Sequence, residues 1–302
     1  MTTLVTGSRG FLASHLVAEL RRRPHGRLVL LDRLPSAGAV SCDLLDAEAL
    51  RRLMARLSPK LVFHLAGTTG SPSFDELWSL HVRATLNLLE ALRPLGLGTR
   101  VVLSGSSAEY GTVPAGRPVR EDDPTLPLTL YGATKLAQTL AAEPFQRDGL
   151  SIVTARIFNA VGPGIPPRLA LGAFAEQLAA IERGAHAPTM KVGSLTPRRD
   201  FVDVRDVARA LSALARPAVA PGVYNVCSGR AVSVGELLRG LIRLVGREVR
   251  LEADPALRRR VDLPLMIGSY RKLQAAAGWE PRISLERSLK DTLDWYRARR
   301  RG

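Results

Sequence analysis

The sequence predicts an α/β fold: a doubly wound parallel sheet followed by a smaller C-terminal α/β unit. Three observations predict it. Short apolar runs alternate with amphipathic segments over the first 160 residues. The runs are almost uniformly hydrophobic, as strands covered on both faces are. After Asn159 the alternation stops in VGPGIPP (161–167), where glycine and proline dominate. Alternating strand and helix argue for parallel pairing, and right-handed crossovers put helices on both faces of the sheet.

The elements follow in order. TLVTG (3–7) reads as a strand, and Gly10 to Arg23 as a helix with Leu12, Leu16, Val17 and Leu20 on one face. RLVLLD (27–32) is the second strand. A helix follows near Asp46 to Leu57, then the strand LVFHLAG (61–67). Phe74 to Leu92 is helical, RVVLSGS (100–106) a strand, Leu128 to Phe145 a helix and SIVTARIF (151–158) a strand. Beyond the proline-rich loop come a helix over about Leu169 to Arg183 and a short strand near Lys191. Further helices lie around Val204, Val234, Ser269 and Leu285. Residues 1–160 are thus expected to form one domain and 161–302 mainly a second. The boundary is soft, with some segments after 190 returning to the first.

Composition narrows the function classes. The chain has 302 residues, 46% hydrophobic and 24% charged, which excludes wholesale disorder. No run approaches the roughly 18 apolar residues of a membrane span, and the N-terminus lacks the basic and apolar regions of a secretory signal. Cys42 and Cys227 stand alone, without metal-ligand spacing, and are expected to be buried, reduced thiols of a cytoplasmic protein; no metal is expected. The net charge of +15 raises the question of an anionic partner. Only five of the 43 basic residues are Lys; the arginines are scattered, with short clusters at 21–23, 258–260 and 299–301. Aromatics, at 5%, are too few for the stacking platforms of a nucleic-acid binder. Most of this charge is read as solvated surface, with neither nucleic acid nor membrane as partner.

The chemistry-bearing motifs begin at TGSRGF. Gly7 allows the tight turn after the first strand, and Gly10 lets backbone approach a pyrophosphate at the following helix N-terminus. Phe11 completes the motif, and the third small position is Ala13. Asp32, ending the second strand, is placed to bind the adenosine ribose of NAD, whereas Arg9 and Arg33 are placed to grip the 2′-phosphate of NADP. The cofactor is therefore NAD(H) or NADP(H), with the balance toward NADPH. Tyr131 and Lys135 stand four apart at the start of the long helix, on one face. A phenol titrates near 10, and an ammonium close by would stabilise its phenolate. Ser106 ends the preceding strand, where a hydroxyl can hydrogen-bond a carbonyl being reduced.

Taken together, TGxxGF, Asp32, CDL, HLAG, SGSSAEYG, YGATK and RIFNAVGPG resemble the extended short-chain dehydrogenase/reductases that act on nucleotide sugars. The likeness runs over essentially the whole chain. Within that family it is closest to GDP-4-dehydro-6-deoxy-D-mannose reductases and related 4-ketoreductases, through SSAEYG, KVGSLTPRRDFVDVRD, VYNVCSG and LPLMIGSYRKL. The resemblance implies a Rossmann-type domain and a catalytic triad of Ser106, Tyr131 and Lys135, with Lys135 also on the nicotinamide ribose. It assigns Asp43, beside Leu44, to the adenine, and Leu65, Ala66 and Gly67 to the strand end along the cofactor. Ser106, Ser107, Asn159, Arg199 and Arg259 would bind the sugar nucleotide, with Asp262 beside Arg259. Guanidinium forks suit a diphosphate.

Two departures stand out. Where the family often carries Asn in an NVxGT helix motif, this chain has HVRAT with His81: the orienting role of that Asn is lost or replaced, or, the reading favoured here, His81 is a plain core or surface histidine. The Asp–Glu pair of the family's 4,6-dehydratases is replaced by Ser107 and Ala108; elimination of water needs an acid and a base, so dehydratase activity is not expected. Glu109, one position further on, is not given the chemistry. The leading expectation is a reductase of a nucleotide-linked 4-keto-6-deoxyhexose. The alternatives are an epimerase with tightly bound NAD and, more remotely, a non-catalytic nucleotide- or nucleic-acid-binding protein. The resemblance also implies a homodimer paired through the helices 74–92 and 128–145.

Overall fold

The computed structural model describes residues 1–22, 26–70, 73–96, 98–112, 116–257 and 263–299. β1 (Thr2–Thr6) is an interior strand of a seven-stranded sheet. β2 (Arg27–Asp32) and β3 (Ala39–Ser41) extend it on one side, and β4 (Leu61–His64), β5 (Arg100–Ser106) and β6 (Ser151–Ile157) on the other. Every pairing is parallel. All seven residues of β5 are buried, with Val101, Val102 and Leu103 between a polar start and a polar end.

The crossovers are α1 (Phe11–Leu20), α2 (Ala47–Leu57), the pair α3 (Phe74–Trp78) and α4 (Ala84–Leu92), and α5 (Leu130–Arg147). Leu50, Met54, Leu88 and Leu92 pack with Leu4, Val62 and Val101 on one face of the sheet. The other face presents Val5, Phe63 and Val102 to Leu16 and Leu20 of α1.

The second half begins with β7 (Asn159–Val161), α6 (Ala170–Glu182), β8 (Thr189–Val192), β9 (Arg198–Asp203) and α7 (Val204–Leu214). It continues through β10 (Gly222–Val226), β11 (Ala231–Ser233), α8 (Val234–Val245), β12 (Arg250–Ala253), β13 (Leu265–Met266), α9 (Arg271–Ala277) and α10 (Leu285–Ala298). Three stretches return to the large sheet. α7 adds Val207 and Leu211 to the core beside α1, α9 adds Leu273 to the same core, and β10 pairs with β6 as the edge strand. The other helices, α6, α8 and α10, enclose a separate core of Phe174, Leu178, Leu238, Leu293 and Tyr296. β9 is flanked by β7, β11 and β13.

The order β10-β6-β5-β4-β1-β2-β3 reverses direction between β1 and β4. Loops leaving two neighbouring strands in opposite directions open a crevice at the C-terminal edge, where open α/β sheets bind ligands.

Several expectations need correction. The helix expected from Leu128 starts at Leu130, because Thr129 caps it by accepting the Gly132 N–H at 3.0 Å. The helix expected over 74–92 contains a π turn, Ser79–Arg83. Cys42 is only half-buried, unlike the fully buried Cys227. Arg100, 7% exposed, is one arginine that is not solvated surface; it donates to the carbonyls of Leu214 and Val219 and so closes the C-terminus of α7. Among the described residues, no helix is long and apolar enough to cross a membrane.

Candidate active site

The crevice is built from strand ends. β1 runs into Gly7, whose φ is +64°; a Cβ there would come 2.6 Å from the Ala66 Cα, so glycine brings the first loop against the end of β4. Gly10 caps α1 with no side chain, and the first turn holds no acidic residue. The leading N–H groups of α1 are thus left with their partial positive charge, the chemistry a pyrophosphate needs. Phe11, half-buried, opens that helix and meets His15 edge-on at 5.6 Å. Asp32 accepts from the backbone N–H of Arg9 at 3.1 Å and of Leu34 at 3.4 Å, tying the glycine loop to the end of β2. The side chains of Arg9 and Arg33 are exposed beside it. Asp43 is exposed and receives the Leu45 N–H, Leu44 is buried, and Leu65, Ala66 and Gly67 continue β4 with decreasing burial. These positions line one side of the crevice and fit a dinucleotide.

On the other side, Ser106 ends β5 and starts a single 3₁₀ turn, Ser107–Glu109. Its Oγ accepts the Ala108 N–H at 3.2 Å, and its own N–H donates to the Glu109 carboxylate at 2.8 Å. The Ser106 side chain lies close enough to the Tyr131 phenol to act on its titration. That meeting depends on Gly132: a Cβ at 132 would lie 2.4 Å from the Ala108 carbonyl oxygen, so the helix approaches the turn only because no side chain intervenes. Burial raises the Tyr131 phenol above its ordinary value; the Ser106 side chain opposes this and the Glu109 carboxylate adds to it.

Lys135, 4% exposed, donates to the Ser104 carbonyl and the Gln138 side-chain oxygen. Burial brings its ammonium down to about 8, with Glu109 opposing. Burial outweighs any lowering of the Tyr131 phenol by this ammonium, so the net direction of the phenol is upward. The ammonium is engaged by a carbonyl and an amide, and burial governs the phenol.

The sequence reading set aside Glu109, and the structure gives it a supporting place. It is fully buried, pairs with Arg156 at 2.8 Å and receives the Thr139 hydroxyl at 3.1 Å. Arg156 in turn lies over the Tyr110 ring at 4.6 Å. Nothing in local sequence links Glu109 to a partner 47 positions away; adjacent parallel strands do, since Arg156 pairs with Gly105.

Asn159 stands two residues beyond Ile157, the β6 partner of Ser106, and donates to the Asp200 carbonyl at 2.9 Å. Arg199 is half-buried on β9, in the second sheet, and donates to the Arg198 carbonyl at 2.9 Å. Ser107 is half-buried beside Ser106. Arg259 and Asp262 lie outside the described residues. The structure thus brings Ser106, Tyr131 and Lys135 together with the glycine loop around one sheet edge, while Arg199 comes from the second lobe. Among the described residues, no group of three or more His, Cys, Asp or Glu could hold a metal ion.

The chain belongs to the NAD dependent epimerase/dehydratase family, which matches residues 3–227, and this family is NAD(P)-dependent. It is 34% identical over 300 residues to the GDP-6-deoxy-D-mannose reductase of Pseudomonas aeruginosa, covering 96% of each chain. The solved structure of RMD from Pseudomonas aeruginosa complexed with NADPH is 32% identical, with a TM-score of 0.87 over 98% of this chain and 99% of that one. The Thermus thermophilus UDP-glucose 4-epimerase complexed with NAD is 29% identical, with a TM-score of 0.87 over 99% of each chain.

Glu109→Ala tests the buried pair. It would strand the Arg156 guanidinium and the Ser106 N–H, and it is expected to cost about 3–5 kcal/mol in urea unfolding, the size typical of a broken buried pair. A loss below about 1 kcal/mol, the worth of an exposed pair, would show that Glu109 does not support the turn.

Proposed function

We propose that the protein is a reductase that takes hydride from NADPH to C4 of a nucleotide-linked 4-keto-6-deoxyhexose, a GDP- or dTDP-sugar. The observation that carries this reading is the Tyr131 phenol. It lies beside Ser106 at the C-terminal edge of the sheet, and burial raises it further above neutral pH, so it holds its proton there. A carbonyl being reduced needs a proton donor there. Similarity to the Pseudomonas aeruginosa reductase supports the sugar class. The exposed Arg9 and Arg33 beside Asp32 support NADPH.

In this reading the reduced nicotinamide, when bound, supplies the hydride that C4 receives. Ser106 holds the C4 carbonyl oxygen through its hydroxyl, whose lone pair is already occupied by the Ala108 N–H. Tyr131 gives its phenolic proton to that oxygen as the C=O bond becomes C–OH, and its phenolate is then reprotonated with the Lys135 ammonium nearby to stabilise it. Residues 7–11, 32–33, 43–44 and 65–67 bind the dinucleotide. Ser107, Asn159, Arg199 and Arg259 bind the sugar nucleotide, with guanidinium forks on its diphosphate.

The same triad would serve an epimerase, a reading favoured by likeness to the NAD-bound Thermus thermophilus enzyme. One assay separates the two. Purified protein is mixed with GDP- or dTDP-4-keto-6-deoxyhexose and NADPH or NADH, and nicotinamide absorbance is followed. Stoichiometric consumption, lost by at least about 100-fold in Tyr131→Phe as for a removed general acid, is expected. A sugar isomer formed without consumption, with NAD retained by the protein, would replace the reductase by the epimerase.

The pH profile follows from Lys135. Its ammonium loses its proton as pH rises through about 8, so kcat/KM for reduction, which reports free-enzyme groups, is expected to be level below that value and to fall above it. A profile flat well into the alkaline range would remove Lys135 from the chemistry.

A homodimer is part of the proposal. α3 and α5 are neighbours, and they leave Phe74 (42%), Trp78 (40%) and Leu140 (53%) exposed, an apolar face that a second copy of the chain would cover. Light scattering should give twice the 32.7 kDa of one chain, and Leu140→Glu should halve it. A wild-type monomer would end this part of the proposal.

A further inference from the structure

The proposed chemistry leaves His81 without a task, yet its surroundings are not those of an ordinary core side chain. It is 1% exposed and sits in the π turn, a geometry that concentrates at functional sites. Both ring nitrogens are engaged, and with different elements. Nδ1 meets the Thr134 hydroxyl of α5 at 2.9 Å, and Nε2 meets the backbone of Thr68, just beyond β4, with the carbonyl at 3.0 Å and the N–H at 3.3 Å. The ring stands edge to face against Tyr131, with centroids 5.5 Å apart and planes at 79°. Its other side covers Gly67, where a Cβ would come 3.1 Å from the imidazole Cδ2. The Thr85 hydroxyl, which donates to the His81 carbonyl at 2.6 Å, secures the turn from below.

Either neutral tautomer keeps the ring tied at both ends. With the proton on Nε2, the ring donates to the Thr68 carbonyl and accepts from the Thr134 hydroxyl. With the proton on Nδ1, it donates to Thr134, whose hydroxyl then donates to the Tyr131 carbonyl at 3.0 Å, and Nε2 accepts the Thr68 N–H. Burial and the nearby Lys135 ammonium hold the imidazole far below its usual range, to about 3, so neither tautomer gives way to the cation at working pH. Lys135, Tyr131 and the buried, likewise neutral His64 are the titratable groups around it.

We infer that His81 is a positioning residue: it pins the strand end at Gly67–Thr68 to the catalytic helix at Thr134 and fixes the edge of the Tyr131 ring between them. Binding of the dinucleotide along residues 65–67 and orientation of the phenol are thereby coupled through one uncharged side chain. The inference rests on the reading that those residues line the cofactor and that Tyr131 is the proton donor. It adds that the two halves of the crevice are registered by residue 81.

The test compares wild type with His81→Phe, which keeps a ring against Tyr131 but loses both hydrogen bonds, and His81→Asn, which keeps an amide for Thr134 and is too short for Thr68. Thermal melts establish folding. NADPH affinity is read by fluorescence, the Tyr131 phenol by phenolate absorbance with Tyr131→Phe as the blank, and turnover with the 4-keto sugar. Folded His81→Phe should bind NADPH severalfold more weakly and titrate Tyr131 at a shifted pH. Its kcat should fall by about 100-fold, the cost of a misplacement near 1 Å, with KM changing far less. His81→Asn should lie between the two. A folded His81→Phe with wild-type affinity, titration and kcat would overturn the inference; if that variant does not fold, the same result in His81→Asn would do so. Should wild type reduce no 4-keto sugar, the substrate reading falls, while NADPH affinity and the phenol titration still decide the role of His81.

Discussion

Every structural feature of the site descends from one constraint: adjacent strands of the main sheet run the same way. A parallel strand cannot be reached by a tight turn, so each connection must cross a face of the sheet and return. The consequence is that all the strands end on one edge. Thr6, Asp32, His64 and Ser106 lie within a few residues of that edge although they are spread over a third of the chain. Reversal of the strand order between β1 and β4 then parts the loops above Gly7 and Ala66. The same pairing that closes the core opens the crevice, and residues far apart in sequence meet there without any long-range design beyond strand direction.

Beneath the crevice the protein maintains a small, dry set of charges. Glu109 and Arg156 are paired, and their remaining capacity is met by Ser106 N–H, Thr139 and the face of Tyr110. A buried pair satisfied in this way tolerates its desolvation, whereas one deprived of a partner does not. Lys135 is held by neutral groups, and its charge is the easiest in the set to lose. The two histidines nearby are neutral and act only through hydrogen bonds. Charge is thus concentrated beneath Ser106 and Tyr131, where it ties the turn to β6 and α5 to β5.

How much of this was legible in the sequence follows from the range of each interaction. Glycines 7 and 10, the Tyr131–Lys135 spacing and the apolar runs of β1, β2, β4, β5 and β6 are local patterns, and they led to the sheet and to the grouping of Ser106, Tyr131 and Lys135. Of the strands after residue 160, only β8, expected near Lys191, was legible. β9 reads RRDFVD, with four charges in six residues, and its Asp200 is buried only because Ser228, Gly229 and Gly268 bring N–H groups from remote loops. β10 carries a fully buried Asn225, made tolerable by Tyr110 and the Val119 carbonyl. Polar residues satisfied from a distance erase the periodicity on which strand recognition depends. Glu109 and His81 were hidden for the same reason, since their partners are 47 and 53 positions away.

The Ala108 carbonyl pressed against Gly132 has a consequence for descent. Glycine lowers helix stability by about 1 kcal/mol relative to alanine, so drift toward stability alone would tend to replace it. Any replacement would put a carbon where the carbonyl oxygen already is and prise Tyr131 away from Ser106. Position 132 is therefore closed to inheritance of anything else while the hydroxyl pair is under selection. A lineage released from that demand should record the release there, before the tyrosine or the serine itself has changed.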